Sequence, residues 1–107
     1  MIEELKDDPK DELKEEDNAV VVFFASWCID CRTSEAYEAK LSEEFKEKVS
    51  FYRLDAANLE AIADRYDVEK YPTYVFFRRG KPVRGALVEP MSEAEVRNWL
   101  ELKLARK

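Results

Sequence analysis

The sequence feature that most constrains the fold is an unbroken apolar run that leads directly into two cysteines. Val20 to Phe24 reads VVVFF, with β-branched and aromatic residues and no polar residue between them. That pattern is typical of a strand buried on both faces, which needs helices on each side of its sheet. After Cys28 and Cys31 the apolar residues recur near helical spacing, at Ala36, Tyr37, Leu41, Phe45 and Val49. The cysteine pair is therefore predicted where a buried strand ends and a helix begins.

The rest of the chain predicts a strand, a helix, a two-stranded hairpin and a final helix. In chain order these are a strand over 51–54, a helix over 58–66, strands over 73–77 and 82–88, and a helix from 92. Gly80 can take a positive φ and marks the hairpin turn. A βαβ unit followed by a hairpin predicts an α/β fold. Its central mixed sheet would have four or five strands, with helices on both faces.

The first 18 residues are dense in Asp, Glu and Lys. Within them, Asp8 followed by Pro9 has the pattern of a helix N-cap and first helical position. Leu13 is the main apolar residue of the short helix that would follow. We therefore predict an acidic helical segment, 1–18, packed on or flanking a domain of residues 19–107.

Charge and hydropathy exclude several classes of function. The 107 residues carry a formal net charge of −6, and no dense basic stripe is present, so we expect no nucleic-acid partner. The longest apolar run, Ala19 to Ala25, is far too short to span a bilayer, so we expect no membrane partner. The acidic start, Met1 to Glu4, lacks the basic and apolar regions of a signal peptide, which predicts a cytoplasmic protein.

Two cysteines separated by two residues at a strand-to-helix junction fit a redox pair. In a first helical turn this spacing brings the sulfurs within bonding distance. Cys28 would lie at the helix N-terminus, open to solvent, where unpaired N–H groups and the helix dipole favour the nucleophilic thiolate. Cys31, one turn further in, would be more buried and would resolve a mixed disulfide. Trp27 would lie along one side of the dithiol.

Two alternatives for the cysteine pair stay open on the residues alone. A structural zinc site needs four ligands, typically Cys and His, but the chain has two cysteines and no histidine. Two chains would have to share one ion, or carboxylates would have to complete the ligand shell. The cysteines could also be core residues without chemistry, although the charged Asp30 and Arg32 beside them are not typical of core filling.

Two segments resemble the thioredoxin family. VVVFFASWCIDC resembles that family's central strand and active-site loop, and LDAANLEAIADRYDVEKYPTYVFFRRGKPV resembles its next strand, helix, proline segment and hairpin. The similarity covers about Ala19 to Leu104 and implies the thioredoxin fold. It also implies a protein-disulfide reductase in which Cys28 attacks and Cys31 resolves. Such a thiol–disulfide oxidoreductase acts on disulfide-containing target proteins, takes electrons from a partner reductase that the sequence does not identify, and needs no cofactor or metal.

The resemblance also implies substrate-binding residues. Trp27 resembles the indole beside the family's cysteine pair, and Tyr71 resembles the residue whose backbone pairs with substrate. Pro72 resembles the cis proline beside the disulfide. Without the resemblance, a trans proline opening a strand would be expected, because few X–Pro bonds are cis.

Four departures from the family pattern bear on the chemistry. Ile29 and Asp30 replace the usual Gly-Pro, Val22 replaces a buried acid, Arg53 stands where a lysine is common, and Glu89 stands in place of a glycine. Losing the acid removes a candidate base for deprotonating Cys31. The charge of Asp30 disfavours the reduced thiolate, so we expect Ile29 and Asp30 to tune the pair toward a reducing potential. These departures also support a rival function, a non-catalytic thioredoxin-fold module that binds proteins.

Overall fold

In the computed structural model, which describes residues 2–105, the apolar run forms the central strand of a mixed sheet. All six residues of that strand are buried, as expected for a strand covered on both faces. It pairs in parallel with the strand that follows it and antiparallel with the next one. The strands are β1 (Glu3–Glu4), β2 (Ala19–Phe24), β3 (Ser50–Asp55), β4 (Thr73–Arg78) and β5 (Lys81–Val88), and their order across the sheet is β1-β3-β2-β4-β5. The predicted α/β fold with a central mixed sheet is confirmed.

Helices cover both faces of this sheet. Those in the described part of the chain are α1 (Pro9–Glu12), α2 (Ile29–Glu44), α3 (Glu60–Arg65) and α4 (Glu93–Ala105). Because side chains alternate along a strand, β2 supplies two separate cores. One core lies under α1 and α3 and includes Leu13, Phe23 and Ala63. The other lies under α2 and α4 and includes Val22, Leu41 and Leu100.

The buried face of α2 differs from the predicted one. The sequence prediction placed Ala36 on that face, but Ala36 is exposed. The buried residues of α2 are Cys31, Ser34, Glu38 and Leu41. The prediction was wrong because it followed apolar residues, whereas this face carries two polar residues that hydrogen-bond to each other.

Helix α3 is shorter than the predicted helix over 58–66. The carboxylate of Asp55 accepts the backbone N–H of Ala57 at 3.1 Å and that of Asn58 at 3.3 Å. These bonds hold the segment after β3 in a turn, as aspartate side chains commonly do. The helix therefore starts only at Glu60.

The N-terminal segment contributes a strand and core residues. Strand β1 pairs in parallel with β3 at one edge of the sheet. Leu5 and Leu13 are 2% and 1% exposed and belong to the core under α1 and α3. The division into residues 1–18 and 19–107 stays a prediction, and these contacts support a segment that packs on the rest.

Asp8 connects this segment to α3. Its side chain is the N-cap of α1 and accepts the N–H of Lys10 at 2.9 Å, with Pro9 at the first helical position, as predicted. The same carboxylate accepts hydrogen bonds from the guanidinium of Arg65 and the hydroxyl of Tyr66. Asp8 is 3% exposed, so these contacts compensate a buried charge.

The β4–β5 hairpin turns at Arg79 and Gly80, whose φ angles are 53° and 78°. Positive φ at both central residues is typical of a type I′ turn. A Cβ on Gly80 would lie 2.6 Å from the carbonyl oxygen of Lys10, so both the conformation and the space require glycine. The N–H of Arg79 donates to the carbonyl of Glu16 at 2.8 Å, which joins the turn to the N-terminal segment.

Candidate active site

The cysteine pair lies where β2 ends and α2 begins, as the sequence predicted. Cys28 is the N-cap of α2, and its sulfur accepts the backbone N–H of Cys31 at 3.2 Å. This is the usual N-cap interaction with sulfur in place of oxygen. The Cys28 sulfur therefore lies at the positive end of the helix dipole, where a thiolate is stabilised. Both cysteines are free thiols in this structure.

Cys28 is less open than expected. It is 8% exposed, and Cys31 is 2% exposed, so the predicted order holds but the outer sulfur is nearly covered. Phe24, Ala25 and Tyr71 pack around the pair. The Cys28 thiol also donates to the carbonyl oxygen of Tyr71 at 3.6 Å. Cys28 was expected to be open to solvent, but it is buried because residues adjacent in sequence and Tyr71, 43 residues away, pack around it.

The three residues predicted to bind substrate lie together beside Cys28. Trp27 is 68% exposed, and its ring meets that of Tyr71 edge to face, with centroids 5.8 Å apart. The Tyr71–Pro72 peptide bond is cis, as the family resemblance implied. The carbonyl of Tyr71 faces the Cys28 sulfur, so backbone and aromatic groups line the approach to the thiol.

The two residues between the cysteines face solvent. Ile29 is 77% exposed, and Asp30 is an exposed residue of the first turn of α2. Within residues 2–105, Asp30 forms no ion pair. The neighbouring Arg32 donates instead to the carbonyl of Ser26 at 3.4 Å. The charge of Asp30 is therefore not neutralised by a direct contact.

A buried carboxylate, that of Glu38, lies near Val22, the residue that replaces the buried acid of the family pattern. Val22 is 1% exposed and apolar, but its register partners on the two neighbouring strands are Arg53 and Tyr74. Glu38 of α2 packs onto this row with 0% exposure, and its Oε2 accepts a hydrogen bond from the Tyr74 hydroxyl at 2.5 Å. The helix thus supplies a buried acid that is hydrogen-bonded to the strand neighbour of Val22.

Sequence reasoning missed Glu38. Charged residues on helices are almost never fully buried unless they are paired, so the residue type alone gave no reason to place this glutamate in the core. One signal could have found it: Glu38 follows Cys31 by seven residues, or two helical turns, which places both on one face of α2.

Burial and neighbouring charge hold Cys31 in its thiol form. Burial, the hydrogen bond with Cys28 and the charges of Cys28 and Glu38 together raise the pKa of Cys31 to about 12. Burial also raises the pKa of Glu38, against hydrogen bonds from Ser34 and Tyr74 that lower it. Cys31 therefore needs a change in its surroundings before it can act as a nucleophile.

Arg53 lies where the family commonly has a lysine. Its guanidinium stacks over the Phe24 ring at 4.0 Å and pairs with Glu35 at 3.0 Å. Its positive charge lowers the pKa of Glu38. Arg53 therefore contributes favourable charge to the interior around the buried acid.

Neither a metal-binding group of side chains nor a membrane-spanning helix is found in the described part of the chain. Across residues 2–105, no group of three or more His, Cys, Asp or Glu side chains is arranged to hold a metal ion. None of the helices described is long and apolar enough to cross a bilayer.

Comparisons with known proteins identify relatives over nearly the whole chain. A family model described as Thioredoxin matches residues 2–102. Thioredoxin Y, chloroplastic, from Oryza sativa subsp. japonica is 32% identical over 92 residues, which cover 83% of this chain and 55% of that protein. The chain spans little more than half the length of the curated relatives it matches.

Solved thioredoxin structures superpose closely on the chain. The Fasciola hepatica thioredoxin is 32% identical with a TM-score of 0.75, covering 85% of this chain and 88% of its own. The oxidised thioredoxin from Plasmodium falciparum has a TM-score of 0.83 over 97% of this chain and 99% of its own. The Plasmodium protein is only 16% identical to this chain, so its similarity supports a shared fold alone.

Proposed function

The chain belongs to the thioredoxin family, and from that premise we propose that it is a thiol–disulfide oxidoreductase that reduces disulfides in other proteins. The observation that carries the proposal is the cysteine contact at the N-terminus of α2. There the Cys28 sulfur accepts the N–H of Cys31 at 3.2 Å. This contact favours the thiolate of Cys28 and holds Cys31 beside it.

The reaction proceeds through two exchanges. The Cys28 thiolate attacks one sulfur of the target disulfide, so a mixed disulfide forms and the other target sulfur leaves as a thiolate. Cys31 then loses its proton and attacks the Cys28 sulfur. The Cys28–Cys31 disulfide forms, and the target's second sulfur leaves as a thiolate. Two electrons pass from the dithiol to the target, and each target thiolate takes up a proton.

Substrate binding is assigned to the residues that surround Cys28. The exposed ring of Trp27 and the ring of Tyr71 offer an apolar contact next to the thiol. Tyr71 and Pro72 precede β4, so an extended target segment can lie along their backbone and direct its sulfur at Cys28. The limited exposure of Cys28 favours targets whose disulfide lies on a flexible or protruding segment.

The proposal extends to partners and location. Target proteins with accessible disulfides are the substrates, and a partner reductase restores the dithiol. We propose a cytoplasmic location, because a reducing compartment keeps a free cysteine pair ready to donate electrons. The dithiol chemistry requires no metal or organic cofactor.

A non-catalytic protein-binding module is the second candidate. The observation that favours it is the combination of a nearly covered Cys28, 8% exposed, with exposed apolar side chains of Trp27 and Ile29. Such a surface could hold a partner without exchanging electrons.

The Cys31→Ser variant distinguishes these two functions. Without its resolving thiol, it is expected to accumulate a mixed disulfide with insulin, because Cys28 can attack but the adduct cannot be released. Non-reducing electrophoresis and mass spectrometry detect that adduct. The wild type, with dithiothreitol as electron donor, is expected to reduce insulin repeatedly. Reversible oxidation of the wild type without turnover or adduct would instead favour the binding module.

Replacing Asp30 with asparagine tests the tuning role assigned to Ile29 and Asp30. Removing the unpaired negative charge is expected to stabilise the reduced thiolate and raise the reduction potential by roughly 10–40 mV. Equilibration with glutathione buffers measures the shift. Asp11→Asn is the matched control, because it makes the same change at an exposed position of α1. An unchanged or lowered potential in Asp30→Asn would refute the charge effect.

A further inference from the structure

We propose that Glu38 is the proton-linked partner of Cys31, binding a proton as Cys31 gives one up to resolve the mixed disulfide. This role rests on the proposed function of the cysteine pair. Glu38 acts on Cys31 without a direct hydrogen bond to its sulfur, so it is a positioning residue rather than a reacting group. From the helix side of the sheet, it accepts a hydrogen bond from Tyr74, the register partner of Val22 on β4.

The location of Glu38 is the first support. Its side chain has 0% exposure, and it enters the core between α2 and the sheet on the same helical face as Cys31. A buried carboxylate is strongly disfavoured unless hydrogen bonds compensate it. Oε2 accepts from Ser34 at 2.6 Å and from Tyr74 at 2.5 Å. Oε1 has no hydrogen-bond partner among the described residues, so the ionised form is only partly compensated.

The hydroxyl of Ser34 can serve either protonation state of Glu38. Ser34 Oγ lies 3.0 Å from the carbonyl oxygen of Cys31 and 2.6 Å from Glu38 Oε2, yet it has one proton to donate. When Glu38 is ionised, that proton points to Oε2. When Glu38 carries a proton on Oε2, it donates to Ser34, whose own proton then turns to the Cys31 carbonyl. A rotation of one hydroxyl therefore accommodates both states.

The charged and titratable groups that face Glu38 make its protonation state depend on that of Cys31. From α2 itself these are Cys31, Glu35 and Tyr37, from β3 Arg53, and from β4 Tyr74. The charge of Glu38 raises the pKa of Cys31, and burial raises the pKa of both groups. The buried site therefore holds one negative charge more readily than two, and the two acids titrate as a coupled pair.

The coupled protonation of Glu38 and Cys31 matters when Cys31 attacks the mixed disulfide. In the mixed disulfide Cys28 carries no charge, so one cause of the raised Cys31 pKa is gone. As Cys31 loses its proton and attacks the Cys28 sulfur, Glu38 takes up a proton, and the net charge of the buried site stays constant. The new disulfide leaves no thiolate beside Glu38, which then returns its proton to solvent, while the departing target thiolate is protonated outside.

The direct test follows the ionisation of Cys31 where it is the only thiol. In Cys28→Ser protein, the thiolate absorbance at 240 nm is recorded against pH. Adding Glu38→Gln is expected to lower the pKa of Cys31, increasing its acid dissociation constant about tenfold or more. Glu43→Gln, the same charge change at an exposed position of α2, is expected to leave the titration unchanged. Coincident titrations with and without Glu38, or an equal shift from Glu43→Gln, would overturn the proposal.

A kinetic test uses the wild-type cysteine pair. The 5-thio-2-nitrobenzoate adduct of Cys28 releases a coloured thiolate when Cys31 attacks. Its pH–rate profile is expected to show two inflections in the wild type and one in Glu38→Gln, because the variant has lost one of two coupled groups. A merely structural effect of the substitution would change the rate but not the number of inflections. Identical profiles in the two proteins would contradict the proton link.

A measurement without substitution of Glu38 covers the case in which the glutamine variant does not fold. The carboxyl carbon of Glu38, followed by NMR in Cys28→Ser protein, is expected to show a second inflection where Cys31 ionises. That inflection should vanish in Cys28→Ser/Cys31→Ser protein. Its absence from the first protein would refute the link. None of these readouts depends on turnover of protein disulfides, so failure of the proposed function and failure of the proton link are distinguishable.

Discussion

Replacing Cys28 with serine is expected to reduce insulin turnover to the rate of dithiothreitol alone while leaving the fold intact. The attacking group must be a thiolate, and a serine hydroxyl is a weak nucleophile because it stays protonated at neutral pH. Serine is also a preferred N-cap, so its oxygen can accept the Cys31 N–H that the sulfur accepts now, at 3.2 Å. Turnover and the melting temperature are measured on the same preparation, so that loss of activity is separated from loss of structure.

Alkylation of the reduced wild type supplies the matching chemical test. A short exposure to iodoacetamide at neutral pH is expected to modify Cys28 alone, because Cys31 is 2% exposed and has a pKa raised to about 12. Mass spectrometry of the digested protein locates the adduct. Retained turnover in Cys28→Ser, or first modification at Cys31, would show that the roles of the two cysteines are assigned the wrong way round.

Replacing Asp8 with alanine is expected to lower the free energy of unfolding by about 2–4 kcal/mol, which corresponds to a fall in Tm of about 10–25 °C. The substitution removes the N-cap of α1 and leaves the hydroxyl of Tyr66 without its acceptor. It also removes the charge that Arg65 faces. Denaturant unfolding of Asp8→Ala and of Asp11→Ala, an exposed neighbour on α1, measures the effect. A similar small change in both variants would contradict the structural role of Asp8.

The stabilising effect of Asp8 is expected to depend on pH. Burial opposes ionisation of this carboxyl, but hydrogen bonds from Tyr66, Lys10 and Arg65 outweigh it and lower the pKa of Asp8 below its usual range. A carboxylate with a lowered pKa in the folded state contributes stability that is complete above its unfolded pKa and is lost as pH falls through its folded pKa. The difference in stability between wild type and Asp8→Ala should therefore be constant near neutral pH and narrow in the acid range. A difference that grows on acidification would refute it.

Local sequence patterns predicted the parts of the fold that depend on neighbouring residues. The six apolar residues of β2 specify a strand buried on both faces, and Gly80 specifies a turn that needs a positive φ. The position of Cys28 at the start of α2 follows from the change from a continuous apolar run to helical spacing of apolar residues. These features need no knowledge of distant contacts.

The features that sequence could not predict depend on contacts between distant segments. Glu38 is buried because Tyr74, 36 residues away, presents a hydroxyl to it. Cys28 is nearly covered because Tyr71, 43 residues away, lies over it. Charged residues on helices are mostly exposed, and the place of Cys28 at a helix N-terminus predicted an open thiol, so local pattern alone favoured the wrong environment for each.

The two outer strands of the sheet limit how copies of this protein can associate. Strand β1 is two residues long, which offers little backbone for another chain to pair with. Strand β5 carries Pro82, which has no N–H to donate, and the charged residues Lys81 and Arg84. Both edge strands therefore disfavour strand-to-strand aggregation, to which open sheets are prone. This should help the protein to stay dispersed at high concentration.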